Sequence, residues 1–303
     1  MKEENKTARL KFCLSMMESA TIPHDPIFKA MYNIVHIDEK WFYMTKKSTN
    51  YYLLPDEADP LRYCKNKNFI GKVMFLVAIA RPRFDAEGNE TFSGKIGVFP
   101  FVTKEPAKRT SVNRVAGTLE TKPITSVTRE ISRSFLIEKV IPAIKEKWPR
   151  DDIHIPIFIQ QDNARSHIKE NDSEFCRVAK EDGFDIRLMC QPPNSPDLNV
   201  LDLGFFSAIQ ALQYKEPTRT IDELIGAVVK SFESFSSIVS NKIFLTLQTC
   251  MIEIMKERGS NNYYVQHMKK EVLQREGQLP TQLKCDSSLV EEVIQYLTVI
   301  GEL

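Results

Sequence analysis

The 303-residue chain lacks several things that would place it quickly. It has no apolar run approaching the roughly 20 residues that a bilayer-spanning helix needs, so no membrane span is expected. Its N-terminus, MKEENKTARLKFCLSMMES, is charged and then amphipathic, unlike a secretory leader, so a soluble intracellular protein is expected. None of the six cysteines (13, 64, 176, 190, 250 and 285) sits in a CxxC pair, and their irregular spacing suits neither a zinc site nor a disulfide scaffold. The net charge of only +1 excludes a globally basic protein, so any nucleic-acid surface has to be local. No Gly-rich phosphate loop of the usual spacings is present, which argues against a nucleotide-binding α/β enzyme. There are no internal repeats, no low-complexity tract and no basic targeting cluster.

What remains is an ordinary globular composition, 42% hydrophobic and 27% charged. Residues 5–19 place Leu10, Leu14 and Met17 at helical spacing. Strands are expected at 33–44, 50–54 and 73–80, as a three-stranded antiparallel meander. The stretch VMFLVAIA is apolar almost throughout, as in a strand buried on both faces. Residues 81–124 show little periodicity and read as an insertion. Its stretch from Lys104 to Lys122 carries Lys104, Lys108, Arg109, Arg114 and Lys122 against Glu105 and Glu120, a local excess of three positive charges suited to phosphates. A helix at 126–147, a strand at 155–161, a helix at 172–182 and a strand at 184–190 follow. Helical patterns then run at 197–214, 220–236, 240–257, 261–275 and 286–299. Strands first, then alternation, then helices, predict a mixed α/β core with a helical C-terminal part.

Three aspartates occupy positions where carboxylates are disfavoured. Asp38 lies in mid-strand in NIVHIDEKWFYM, with apolar residues on both sides. Asp162 ends IPIFIQQD, at the C-terminal tip of a strand whose two faces both read as buried. Such tips are where open α/β sheets bind ligands. Asp202 follows NSPDLNVL. If Ser195 caps the helix and Pro196 opens it, Asp202 falls nearly two turns in, among Leu201, Leu203, Phe205 and Phe206. Clustered carboxylates need a cation, and an all-oxygen set suits Mg²⁺ or Mn²⁺. Two such ions can activate an attacking oxygen and stabilise a leaving one in phosphoryl transfer.

HIDEKWF, QQDNARSH and PPNSPDLNVLDLGFF together resemble the catalytic signature of mariner-like DNA transposases. Thirty-nine residues lie between Asp162 and Asp202, a spacing similar to that of the plant-type branch. GKIGVFPFVTKEPAKR, GTLETKP and LIEKVIPAIKEKWPR also resemble that branch, and the likeness runs from about residue 8 to about 255. The resemblance implies an RNase H-like fold, a mixed five-stranded sheet flanked by helices, with Asp38, Asp162 and Asp202 as the catalytic, metal-binding triad. It implies two Mg²⁺ or Mn²⁺ ions, cut-and-paste transposition with transposon-end and target DNA as partners, a homodimer on DNA, and a nuclear location. Asn163, His167 and Asn199 are implied accessories. His36 reads as a core residue, Lys40 and Trp41 as structural, and Asp197 as a helix-start residue. The basic stretch matches an insertion that helps pair subunits in relatives. The expected organisation is a remnant helix and linker at 1–30, the catalytic domain at 31–215 with its insertion at 81–124, and a helical extension at 216–303. Only about thirty residues precede the first strand, too few for the paired helix-turn-helix modules of that family, so a truncated or co-opted copy is an expectation. Arg165-Ser166 stands where many relatives carry a Pro before the His. A catalytically silent, transposon-derived DNA-binding protein is the alternative reading, and a different RNase H-like nuclease a more distant one.

Overall fold

A computed structural model describes residues 1–45, 53–58, 70–112 and 114–302. Five strands form the central sheet: β1 (Ile34–Tyr43), β2 (Lys72–Ala80), β5 (Lys95–Pro100), β8 (Ile157–Gln161) and β9 (Ile186–Cys190). Their spatial order is β5-β2-β1-β8-β9. The first three run antiparallel, and β8 and β9 run parallel to β1. Successive side chains of a strand point to opposite faces, and both faces are covered. On one, Val35, Ile37, Leu76, Ala78, Ile157 and Ile159 pack beneath α2 (Arg129–Phe135), α3 (Ile141–Lys147) and α4 (Ser173–Val178). On the other, Ile34, Phe42, Phe75, Val77 and Ile79 meet α1 (Glu3–Ser15), α5 (Phe206–Gln213), α6 (Ile221–Ser234), α7 (Ser237–Lys256) and α9 (Ser287–Val299). Residues 1–30 and 216–303 therefore share one core with the sheet.

Several expectations shift. The third antiparallel strand is β5, inside the region read as irregular, because Gly97 and the flanking turns interrupt its pattern. The strand expected at 50–54 lies largely outside the described residues, as does Cys64. The rest of 81–124 forms two small hairpins, β3 (Arg83–Phe84) with β4 (Glu90–Phe92) and β6 (Val102–Pro106) with β7 (Leu119–Pro123). Of the stretch at 261–275 only α8 (Lys270–Arg275) is helical. The strand at 155–161 starts two residues late, and Ile155 is exposed rather than buried, since Pro156 cannot donate to the ladder. By length and composition alone, the 20-residue α7 is long and apolar enough to cross a bilayer, contrary to the sequence reading. Here its Phe244, Leu247, Met251 and Ile254 are core residues.

His36, as expected, is a core residue. It is fully buried, stands edge-on to Phe244 at 5.6 Å, and neither ring nitrogen has a hydrogen-bond partner among the described residues. Burial pushes its pKa down to about 3. Each unsatisfied buried polar group costs about 1–3 kcal/mol, so His36→Leu is expected to leave stability unchanged or raise it. Urea unfolding at pH 7 checks this, and a loss above about 2 kcal/mol would reveal a hydrogen bond at this ring.

Candidate active site

β1 and β8 pair in parallel through Ile34–Phe158, Val35–Ile159 and His36–Gln160. Continuing that register by two residues brings Asp38 level with Asp162. The pairing ends there, so both carboxylates stand where the two strands part, at the C-terminal end of β8. Asp38 faces the α5/α7 side of the sheet, opposite Val77 of β2.

The third acid arrives by a different route from the one expected. A single 3-10 turn, Pro196–Leu198, ends at Asn199, whose backbone is extended, and Ser195 makes no side-chain cap. The helix starts afresh after Asn199. The Asn199 Oδ1 accepts from the Leu201 N–H at 3.1 Å, as an N-cap does, and a widened turn, Leu201–Phe205, leads into α5. Asp202 therefore sits in the first turn, not deep in the helix, and it is exposed rather than enclosed by its apolar neighbours. The fully buried Asn199 also donates from Nδ2 to the Ile37 carbonyl at 3.2 Å, tying the new helix to the residue before Asp38. Buried Gln160 reinforces the join, donating to the Leu198 carbonyl at 2.8 Å and to Gln191 Oε1 at 3.2 Å.

Asp38, Asp162 and Asp202 consequently line one cavity of about 290 Å³, walled by Asn163, Ala164 and the turn from Gln191 to Pro196. Asn163 donates to the Gln191 carbonyl at 2.5 Å and so holds that wall. Burial pushes the Asp38 carboxyl up to about 8. Asp202, Glu39 and Asp162 add to the shift, while the Glu39 N–H, 2.7 Å from Asp38 Oδ1, opposes it. Asp202 is also raised, by burial first; its contact with Asp38 and the charge of Lys40 pull the other way. Both carboxyls are thus held above the ordinary carboxylate range. Asp162 is lowered, first by a hydrogen bond from His167 and also by the Ala164 N–H at 2.8 Å.

His167 is where the sequence reading was least complete. Its Nδ1 lies 2.8 Å from Asp162 Oδ1, and its Nε2 lies 3.1 and 3.2 Å from the two oxygens of Glu39. Burial opposes the charged ring, but hydrogen bonds to Asp162 and Glu39 outweigh it and raise the pKa to about 11. Glu39 went unnoticed beside Asp38. The signal was present as an acid adjoining one of the three aspartates and a histidine five residues beyond another.

These shifts set a pH dependence. The folded-state pKa of Asp38 lies above the unfolded value of about 3.9, so stability falls as pH rises from there towards 8. That of His167 is also raised, so its contribution is full below about 6.5 and is lost as pH climbs towards 11. The metal-free protein is expected to melt at a lower temperature at pH 9 than at pH 5, with Asp38→Asn removing the part of the slope below pH 8. An unchanged slope in Asp38→Asn would contradict the assignment.

The other expected site residues scatter. Asp197 is not a helix cap but the partner of fully buried Arg9, which reaches its two oxygens at 2.6 Å each. Lys40 stands over the Phe206 ring at 5.2 Å, and Lys72 over Trp41 at 4.2 Å. On the β6–β7 hairpin, Lys104 meets Asp222 at 3.7 Å, and Arg114 and Lys122 both pair with Glu120. Among the described residues that leaves exposed Lys108 and Arg109 without an ion pair.

The donor set suits a hard divalent cation. Three carboxylates bound one cavity, and like charges gathered there are relieved by a proton or a cation. Among the described residues no group of three or more His, Cys, Asp or Glu is gathered closely enough to hold one ion. Exposed Asp202 and the half-open Asp162 are the side chains with room to close in.

Comparison with known proteins supplies the class of fold and then a particular neighbour. The sheet order and directions, with helices on both faces, are those of the RNase H-like fold. No protein-family model matches the chain, and no curated protein does. Among solved structures, the catalytic domain of Mos1 mariner transposase is similar at a TM-score of 0.54 and 15% identity, over 87% of this chain and 97% of that one. A pre-cleavage Mos1 transpososome matches at 0.60 and 16%, over 87% and 65%. The Mos1 strand transfer complex matches at 0.61 and 17%, over 87% and 64%. The chain thus spans just under two thirds of the transposase chains in those two complexes and nearly all of the catalytic domain, whose fold it shares.

Proposed function

We propose that this chain is a DNA transposase catalytic domain that hydrolyses phosphodiester bonds at transposon ends and transfers the freed 3′ strand to target DNA. The observation that carries it is the delivery of three carboxylates, by β1, by the end of β8 and by the helix after β9, to one cavity. The shared fold supports it, as do Mos1 paired-end complexes solved with Mn and with Mg. Asp38 and Asp162 would hold both ions of a Mg²⁺ or Mn²⁺ pair, and Asp202 one. Such ions, when bound, activate the attacking oxygen and stabilise the leaving one.

The chain's own residues prepare that site. His167 keeps Asp162 ionised. Asp38 and Asp202 would both have to be ionised to serve as ligands. Pro192 and Pro193 give the cavity a stiff wall against which a backbone phosphate can be seated. Lys108 and Arg109 are the hairpin cations available to DNA phosphates, and exposed Val112, Val115 and Leu119 beside them suit a second subunit on paired ends. A nuclear location follows from the substrate.

The test is nicking of supercoiled plasmid by purified protein with Mn²⁺, beside Asp38→Ala/Asp162→Ala. Cutting by the parent alone supports the proposal. Equal cutting by both would overturn it. Binding of DNA without cutting by either would favour a catalytically silent DNA-binding protein.

A further inference from the structure

We propose that Glu39 is the positioning residue of the second carboxylate, acting on Asp162 through His167. The proposal rests on the reading of Asp162 as a metal ligand. Glu39 leaves β1 on the face opposite Asp38, and both its oxygens are engaged by His167 Nε2, at 3.1 and 3.2 Å. The other ring nitrogen reaches Asp162 Oδ1 at 2.8 Å and the Asp162 carbonyl at 3.1 Å. The Ala164 N–H adds a second donor to that same Oδ1, at 2.8 Å. Among the described residues the other oxygen, Oδ2, accepts nothing. One oxygen of the ligand is thereby tied to the protein and the other is left for a cation.

Exposure follows the same division. The side chains of His167 and Glu39 are 6% and 18% exposed, while that of Asp162 is 44% exposed. The support is buried and the carboxylate it holds is open. Asp162 needs such support because it is the first residue past the end of β8, beyond the ladder that orders the strand. Without Glu39 the imidazole keeps contacts at one edge only, and its ring is no longer held in the plane that meets Oδ1. Partners that orient metal-ligating groups typically change metal affinity about 10- to 100-fold when removed.

The experiment uses the full chain and Mn²⁺ alone, with free Mn²⁺ read by electron paramagnetic resonance and the folded fraction by circular dichroism. Glu39→Ala and His167→Ala are each expected to weaken Mn²⁺ binding by about 10- to 100-fold while remaining folded. The double variant is expected to be no weaker than either single one, because both remove the same support. Glu39→Gln keeps an acceptor oxygen for Nε2 and is expected to restore binding close to the parent. If Glu39→Ala does not fold, Glu39→Met, of similar volume and without an acceptor, takes its place. Parent-like binding by Glu39→Ala would overturn the proposal. So would a Glu39→Gln as weak as Glu39→Ala, which would make Glu39 a direct ligand. A parent that binds no Mn²⁺ would overturn the metal reading of Asp162 and the brace with it.

Discussion

Asp162→Ala is expected to lower Mn²⁺-dependent plasmid nicking by about 10²- to 10³-fold, the scale on which one electrostatic stabiliser of a transition state counts, without lowering the melting temperature of the metal-free protein below that of a typical surface variant. The two halves have one cause. The carboxylate is half-exposed and placed for a cation rather than for the core. Its protein contacts are with His167 and the Ala164 N–H, so the loss is local. Removing it takes away one of three like charges around the cavity, which favours the folded metal-free state, but it also deprives His167 of a partner, which disfavours it. A large fall in stability would show that Asp162 is an ion-pair residue first, and would count against a metal-holding role.

The second large effect lies away from the cavity. Arg9→Ala is expected to cost about 3–5 kcal/mol of stability, the range for breaking a buried ion pair from one side. Fully buried Arg9 donates to both oxygens of Asp197 and, through Nε, to the Gly259 carbonyl at 2.9 Å. Tyr263 donates its hydroxyl to the same carboxylate. Gly259 has a φ of +84°, and a side chain there would run into the Lys6 carbonyl, so the end of α7 is shaped to bring that acceptor to Arg9. Truncation leaves Asp197 without its main partner and opens a cavity. Urea unfolding measures the cost. Asp197→Asn on an Arg9→Met background removes the stranded charge and is expected to recover part of it. A loss in Arg9→Ala below about 1 kcal/mol, the level of an exposed pair, would show that solvent already screens this contact.

Much of the site was legible because acids in apolar surroundings are conspicuous. Asp38 between Ile37 and an aromatic run, and Asp162 at the end of an isoleucine-rich strand, stand out against the composition of their segments. So did β1, β2, β8 and β9, whose hydrophobic runs are long enough to outweigh local propensity. Asp202 was singled out for a reason the structure does not bear out. Ser195-Pro196 is a good helix start, yet the chain stops after one turn because Asn199 finds a better partner in the Ile37 carbonyl, 162 positions away in sequence, than in continuing the helix. No local pattern encodes that choice. Strand β5 was hidden by Gly97 and by its flanking turns, and its pairing with β2 decides its conformation. Of the five hairpin cations, three are paired with Asp222 or Glu120, which the local charge balance could not show. Glu39 was overlooked because a charged residue on a strand normally reads as solvated, and its partner lies 128 residues away.

The Arg9–Asp197 pair has a consequence for the order in which the chain becomes competent. Asp38 lies in β1 and Asp162 directly follows β8, two strands that can pair once residue 161 has been made. The turn carrying the third is held by Arg9, far before it in sequence, and by Tyr263, well after it. Its contacts with the sheet, through Asn199 and Gln160, involve only residues up to 199, whereas its clamp at Asp197 is complete only once Tyr263 is in place. Contacts spanning so much of the sequence form late in folding. The seat of the third carboxylate is thereby a product of contacts that reach far before and far beyond it in sequence.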